Sequence, residues 1–249
     1  MKKIETMLFR DTSSGVITVD KGITGKKFLS TKDSTSKSGH SLVAQIPMTH
    51  SGIITGNRAF YMPDRMKAGA HHFVKDYQKP VLIGHDTDTQ SVGRVIEASY
   101  IDTMAELCIK DKYADNLYRF LDKKNKDTGK KAMVDFAQHM MLTYCNKDTY
   151  KGAGHILGTF KISDEETICR ILDGRDQTVS TSFKTNNAFC SECGQDWMTE
   201  GRCDHELGGV YDSGIPVVII PGNMIYDHVG IVTVPADHLA AGFNILQVS

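Results

Sequence analysis

The sequence predicts an α+β or barrel-like fold. Three observations carry this. Short runs rich in β-branched and aliphatic residues recur along the chain, among them SLVAQIPMT, VLIGH, ILGTFKI, TVSTSFKT and MIYDHVGIVTV. Only a few stretches show helical spacing. Strands and helices do not alternate regularly, as a parallel βαβ series would require. The length of 249 residues suits one generous domain or two small ones, with enough chain to bury a real core. Lys plus Arg total 29 against 30 Asp plus Glu. This balance argues against a dedicated nucleic-acid binder, which carries a basic excess. No apolar run approaches the roughly 18 residues of a membrane helix. The start, MKKIETMLFRDTSSG, has no apolar h-region and does not read as a secretory signal.

Residues 1–40 are polar and rich in Ser, Thr, Lys and Gly, which predicts a flexible arm. Ser41 to Thr49 reads as a strand, and Gly52 to Tyr61 as a turn and short strand. Asp64 to Tyr77 has helical spacing, with Met66, Ala70, Phe73 and Tyr77 on one side. Pro80 ends that helix and opens a strand. Ser91 to Tyr100 alternates and is expected to form a hairpin with Met104 to Ile109. Helices follow at Tyr113 to Lys124 and Lys130 to Thr143, separated by the solvated loop KKNKDTGKK; together they make a helical insert of about 111–150. Ile156 to Ile162 is a strand. Ser163 at the N-cap and Glu166 at N3 form a capping box, opening a short helix that Gly174 closes. Strands are expected at Thr178 to Thr185, Ile215 to Pro221 and Met224 to Val234. An insertion at about 186–213 separates the first of these from the other two.

The insertion holds three of the six cysteines. Cys190, Cys193, Cys203 and His205 form CxxC-x9-CxH. A CxxC turn supplies two thiolates from one knuckle, and the second pair closes a tetrahedral site. Gly194 and Gly201 fit the tight turns, and Trp197 can pack on the knuckle. With all four positions filled by protein, the expected ion is a structural Zn2+ rather than a catalytic one. A chain with no export signal makes a disulfide the weaker reading. Cys108, Cys145 and Cys169 lack partners at metal spacing and read as small core residues.

The common enzyme motifs GxSxG, HExxH, GxGxxG and the P-loop are absent. What remains is a set of His and Ser residues on strands. His85 follows PVLIG, Ser180 sits within TVSTSF, and His228 within MIYDHVGIV. A serine hydroxyl becomes a nucleophile only beside a base, which a third group must orient. Each residue alone has a plain structural reading. The remaining histidines (His40, His50, His71, His72, His139, His155 and His238) have no motif support and read as surface or core residues.

Four segments, in order, resemble the prohead (capsid maturation) serine proteases of tailed bacteriophages, which are related to the herpesvirus assemblins. They are KPVLIGHDTDTQSVGRVIEA, ILGTFKISDEETICRILDG, TVSTSFKT and HVGIVTVPADHLAAG. The resemblance implies a herpesvirus-protease-like fold over 41–249: a mostly antiparallel β-barrel core with surrounding helices, enlarged by the helical and knuckle insertions. It implies His85 as general base and Ser180 as nucleophile. Ser182 stands where the family has Gly and is a rival, because both serines face one side of a strand. The family's Glu falls at His228, giving a Ser-His-His set as in the herpesvirus enzymes. Asp227 is the other candidate, on the opposite face of the strand. The implied activity is slow processing of scaffold and major capsid protein, in a procapsid or virion assembled in the bacterial cytoplasm. A homodimer is compatible with it; membrane or specific nucleic-acid contact is not implied. Two other readings stand beside it: an inactive protease-fold protein of the phage head, and a zinc-knuckle protein-interaction module.

Overall fold

The computed structural model describes residues 7–10, 39–122 and 126–249. Ten strands and five helices occur among them. In chain order they are β1 (Met7–Arg10), β2 (Leu42–Ser51), α1 (Pro63–Gly69), β3 (Pro80–Ile83), β4 (Gly93–Asp102), α2 (Met104–Lys110), α3 (Lys112–Asp122), α4 (Lys126–Thr143), β5 (Gly154–Ile162), α5 (Glu165–Leu172), β6 (Thr178–Thr185), β7 (Ala188–Cys190), β8 (Ile219–Pro221), β9 (Ile225–Val232) and β10 (Asn244–Val248). Eight strands form one curled mixed sheet in the order β1-β6-β9-β3-β4-β5-β2-β10, and β7 pairs with β8 apart from it. The barrel expected from the sequence is therefore open: β1 and β10 are edges. All neighbours are antiparallel except β3 and β9. That one parallel pair sets residues far apart in sequence side by side.

Two apolar clusters fill the molecule. One lies inside the curl, where Ile46, Phe73, Val95, Phe160, Val179, Phe183, Tyr226 and Val229 are buried. Its aromatic rings meet edge to face or stacked: Tyr61 on Phe183, Phe183 on Tyr226, Tyr226 on Phe73. The other joins Met133, Phe136, Ala137 and Met140 of α4 to Phe60, Met62, Val218 and Ile220. The helical insert thus packs on the segment that carries the cysteine insertion. Lys130 pairs with Glu200 at 2.8 Å, and the Gln138 amide donates to the Ser191 carbonyl at 2.7 Å.

Several elements differ from expectation. Residues 104–109 are helical, not the second strand of a hairpin; β4 pairs with β5 and β3 instead. Met, Ala, Glu and Leu are strong helix formers, and the Asp102 carboxylate, one residue before the N-cap Thr103, accepts from the Met104 N–H at 2.9 Å. The helix N-cap before β6 is Asp164 rather than Ser163, its carboxylate accepting from Thr167 N–H and Oγ1–H. The helix expected to reach Tyr77 ends at Gly69 and continues as one 3₁₀ turn, Ala70–Phe73. Helix α4 begins at Lys126, inside the expected loop. The last two strands are shorter than expected, covering Ile219–Pro221 and Ile225–Val232. Between Gly52 and Tyr61 there is no strand among the described residues but two bridges, Ile54 to Phe60 and Ala59 to Ile219. The arm expected over 1–40 includes a strand, β1, which pairs with β6 from Met7–Thr185 to Arg10–Ser182; 1–6 and 11–38 lie outside the described residues. Cys108, Cys145 and Cys169 are half-buried rather than core residues. No helix among the described residues is long and apolar enough to cross a membrane.

Candidate functional site

Three adjacent strands bring Ser180, His85 and His228 together. In the β6–β9 ladder Ser180 lies opposite Gly230, and Ser182 opposite His228. In the parallel β3–β9 ladder Leu82 lies beside Gly230. Gly84 then takes a left-handed conformation (φ 64°), which ends β3 while its N–H still reaches the Ile231 carbonyl at 2.7 Å. The turn carries His85 over β9 at Gly230. A Cβ at Gly230 would run into the Gly84 carbonyl oxygen and lie 3.3 Å from His85 Cε1. Glycine is what lets the base approach the strand.

The resulting contacts form a chain. Ser180 Oγ is 2.5 Å from His85 Nε2, and His85 Nδ1 is 2.9 Å from His228 Nε2. If Nε2 of His85 accepts from the serine, its Nδ1 carries the proton and donates to His228. The far nitrogen of His228, Nδ1, lies 3.6 Å from Asp227 Oδ2. Asp227 also has Lys184 at 3.9 Å. The sequence set His228 and Asp227 as exclusive alternatives on opposite faces. The structure places them in series: His228 touches His85, and the half-exposed Asp227 carboxylate reaches round toward the outer nitrogen. An acid adjacent in sequence to a strand histidine is the signal for this arrangement. Ser182 is not part of the chain; its Oγ is fully buried and has no hydrogen-bond partner among the described residues. Ser180 and His228 are buried and His85 is half-buried, so His85 forms the accessible side. A cavity of about 290 Å³, lined by Tyr77, Leu82, Thr87, Arg94, Asp227 and His228, opens beside it.

Cys190, Cys193, Cys203 and His205 converge in a second cluster. One donor atom from each lies within 4.8 Å of all the others. Cys190 ends β7, where pairing with β8 anchors it. The turn closes through Gly194 N–H to the Cys190 carbonyl (2.8 Å) and Cys190 N–H to the Gln195 carbonyl (3.0 Å). Burial pushes the Cys190 thiol up to about 12, against the N–H groups of Cys193 and Glu192 that favour its thiolate. Cys203 is also held up by burial, but donors outweigh it: the Trp197 indole (3.1 Å), the His205 N–H and neighbouring side chains bring it down to about 6. Three thiols and an imidazole, with backbone and indole N–H groups aimed at sulfur, fit a four-coordinate metal ion with no open position.

The chain matches no protein-family model, no curated protein and no solved structure.

Proposed function

We propose that the protein is a serine endopeptidase with a Ser180–His85–His228 mechanism. The observation that carries this is the continuous contact from Ser180 Oγ through both His85 nitrogens to His228. His85 Nε2 takes the hydroxyl proton as Ser180 Oγ attacks a peptide carbonyl, and the same proton then passes to the leaving amine. Water, deprotonated by His85, hydrolyses the acyl-enzyme. His228 orients His85 and accepts a hydrogen bond from its Nδ1–H. An imidazole stabilises the imidazolium less than a carboxylate does, which suits slow, once-only cleavage; Asp227 beyond it restores part of the missing negative charge.

The four segments that resemble prohead proteases support a narrower reading. In it the fold is herpesvirus-protease-like, the substrates are phage scaffold and capsid-protein extensions, and the place of action is the procapsid. The Cys190, Cys193, Cys203 and His205 cluster holds a structural zinc ion, whose four protein ligands leave no position for substrate. One observation favours a second reading, an inactive protease-fold protein of the phage head. Ser180 is fully enclosed, so a peptide reaches it only after an opening of the site.

A fluorophosphonate probe separates the two. Stoichiometric labelling that disappears in Ser180→Ala and persists in Ser182→Ala is the expected result. No labelling of the folded wild type, together with no processing when it is co-expressed with scaffold and capsid protein, supports the inactive reading. Processing that survives Ser180→Ala removes the nucleophile assignment.

A further inference from the structure

A third constellation lies on the other half of the sheet, where β2 pairs with β5. His50 and His155 are directly opposite each other in that ladder. Cross-strand neighbours hold their Cβ atoms about 5 Å apart on one face. The ring centroids are 5.1 Å apart and tilted by 36°. A bulge between Pro47 and Thr49 shifts the register just before His50 and sets this pairing. Both histidines line a cavity of about 570 Å³, which Glu106, Tyr150, Lys110 and Lys151 also line.

His50 is only 6% exposed, yet one of its nitrogens is committed and the other is not. Asp237, itself 1% exposed, takes His50 Nδ1 at 2.7 Å and the His50 backbone N–H at 2.6 Å on the same oxygen. Its other oxygen accepts the Leu239 N–H at 2.9 Å. The Asp237 oxygen accepts at Nδ1, so in the neutral ring the proton sits on Nδ1. Nε2 is then a lone pair. It has no protein hydrogen-bond partner among the described residues, and the ring lines the cavity. Among the described residues no hydrogen bond engages the His155 ring either. Burial, with His50 adding to it, lowers His155 to about 4, so its imidazole is neutral at pH 7.

We propose that His50 and His155 chelate a divalent transition-metal ion in this cavity, with Asp237 orienting His50 from behind. Two imidazoles sharing one ion at about 2.0–2.1 Å and a near-tetrahedral angle have ring centres about 5 Å apart, close to the separation found. A carboxylate on the far nitrogen of a ligating histidine is the usual support for such an ion. The positions that two histidines leave open face the cavity, where water supplies oxygen donors. Lys110 and Lys151 are exposed and keep their charges in water, where they are screened. An anion is the less favoured occupant, because a lone pair at Nε2 repels it.

The test is zinc binding by the full chain, measured by titration against a chromogenic chelator. Two equivalents are expected, one from the cysteine cluster and a weaker one from this cavity. His155→Ala, at a half-buried position, should remove the weaker equivalent and keep the tighter one. A single equivalent in the wild type overturns the proposal, as does a weaker equivalent that His155→Ala leaves unchanged. Inorganic phosphate binding that depends on His155, without a second zinc equivalent, overturns it in favour of an anion site. The zinc equivalent of the cysteine cluster is counted separately in each case.

Discussion

The Ser180 and Cys190 clusters are assembled in opposite ways. The cysteine cluster draws four donors from 16 consecutive positions, on one short hairpin and the turns after it. The serine cluster draws three side chains from positions 85, 180 and 228, and only the order β6-β9-β3 makes them neighbours. A local cluster with a long, exposed surround is one that a bound ion would hold together. A distributed cluster needs none, because the sheet register fixes it. The first is expected to fail by losing its metal and the second by losing its register.

Five experiments press on this difference. Ser180→Ala should lower peptide cleavage on the order of 10⁴-fold or more while leaving bound metal at its wild-type level, read by cleavage assay and metal analysis on one preparation. Chelation of the cysteine cluster should lower the thermal midpoint on the order of 10 °C. An unchanged midpoint would show that the hairpin stands without its ion. Metal uptake there must strip the Cys190 thiol, raised to about 12, of its proton, so it releases protons. Apparent affinity should therefore fall about tenfold for each pH unit lowered from 8 toward 6, measured by competition titration. Gly230→Ala should cost about 1–3 kcal/mol in denaturant unfolding and lower activity, because the new methyl meets the Gly84 backbone. Asp227→Asn should reduce kcat about tenfold (about 1.4 kcal/mol) with KM unchanged. An equal rise in KM would place Asp227 in substrate binding through the neighbouring cavity instead.

These contrasts also explain what could be read from the chain. The spacing CxxC-x9-CxH is a local geometry, and all four donors named from it meet in space. Ser180, His85 and His228 have no mutual spacing rule; only the order of four resembling segments pointed to them. Strand alternation puts Asp227 on the face opposite His228, a rule that governs Cβ directions and not where a carboxylate can reach. Residues 104–109 read as a strand because a short apolar run fits either period; in the structure they start a helix whose first N–H is met by the Asp102 carboxylate. His50 and His155 carried no signal at all. They are 105 positions apart, and their meeting depends on a register that a bulge sets.

The indole contact in the knuckle has a practical consequence. Trp197 is the sole tryptophan of the chain, and its Nε1–H points at Cys203 Sγ from 3.1 Å. Emission excited selectively in indole therefore originates beside one sulfur of the Cys3His cluster and nowhere else. Loading, stripping or oxidising that sulfur changes the electron density next to the fluorophore, while chemistry at Ser180 does not touch it. The unmodified chain carries its own optical gauge for one of its clusters and is silent about the other.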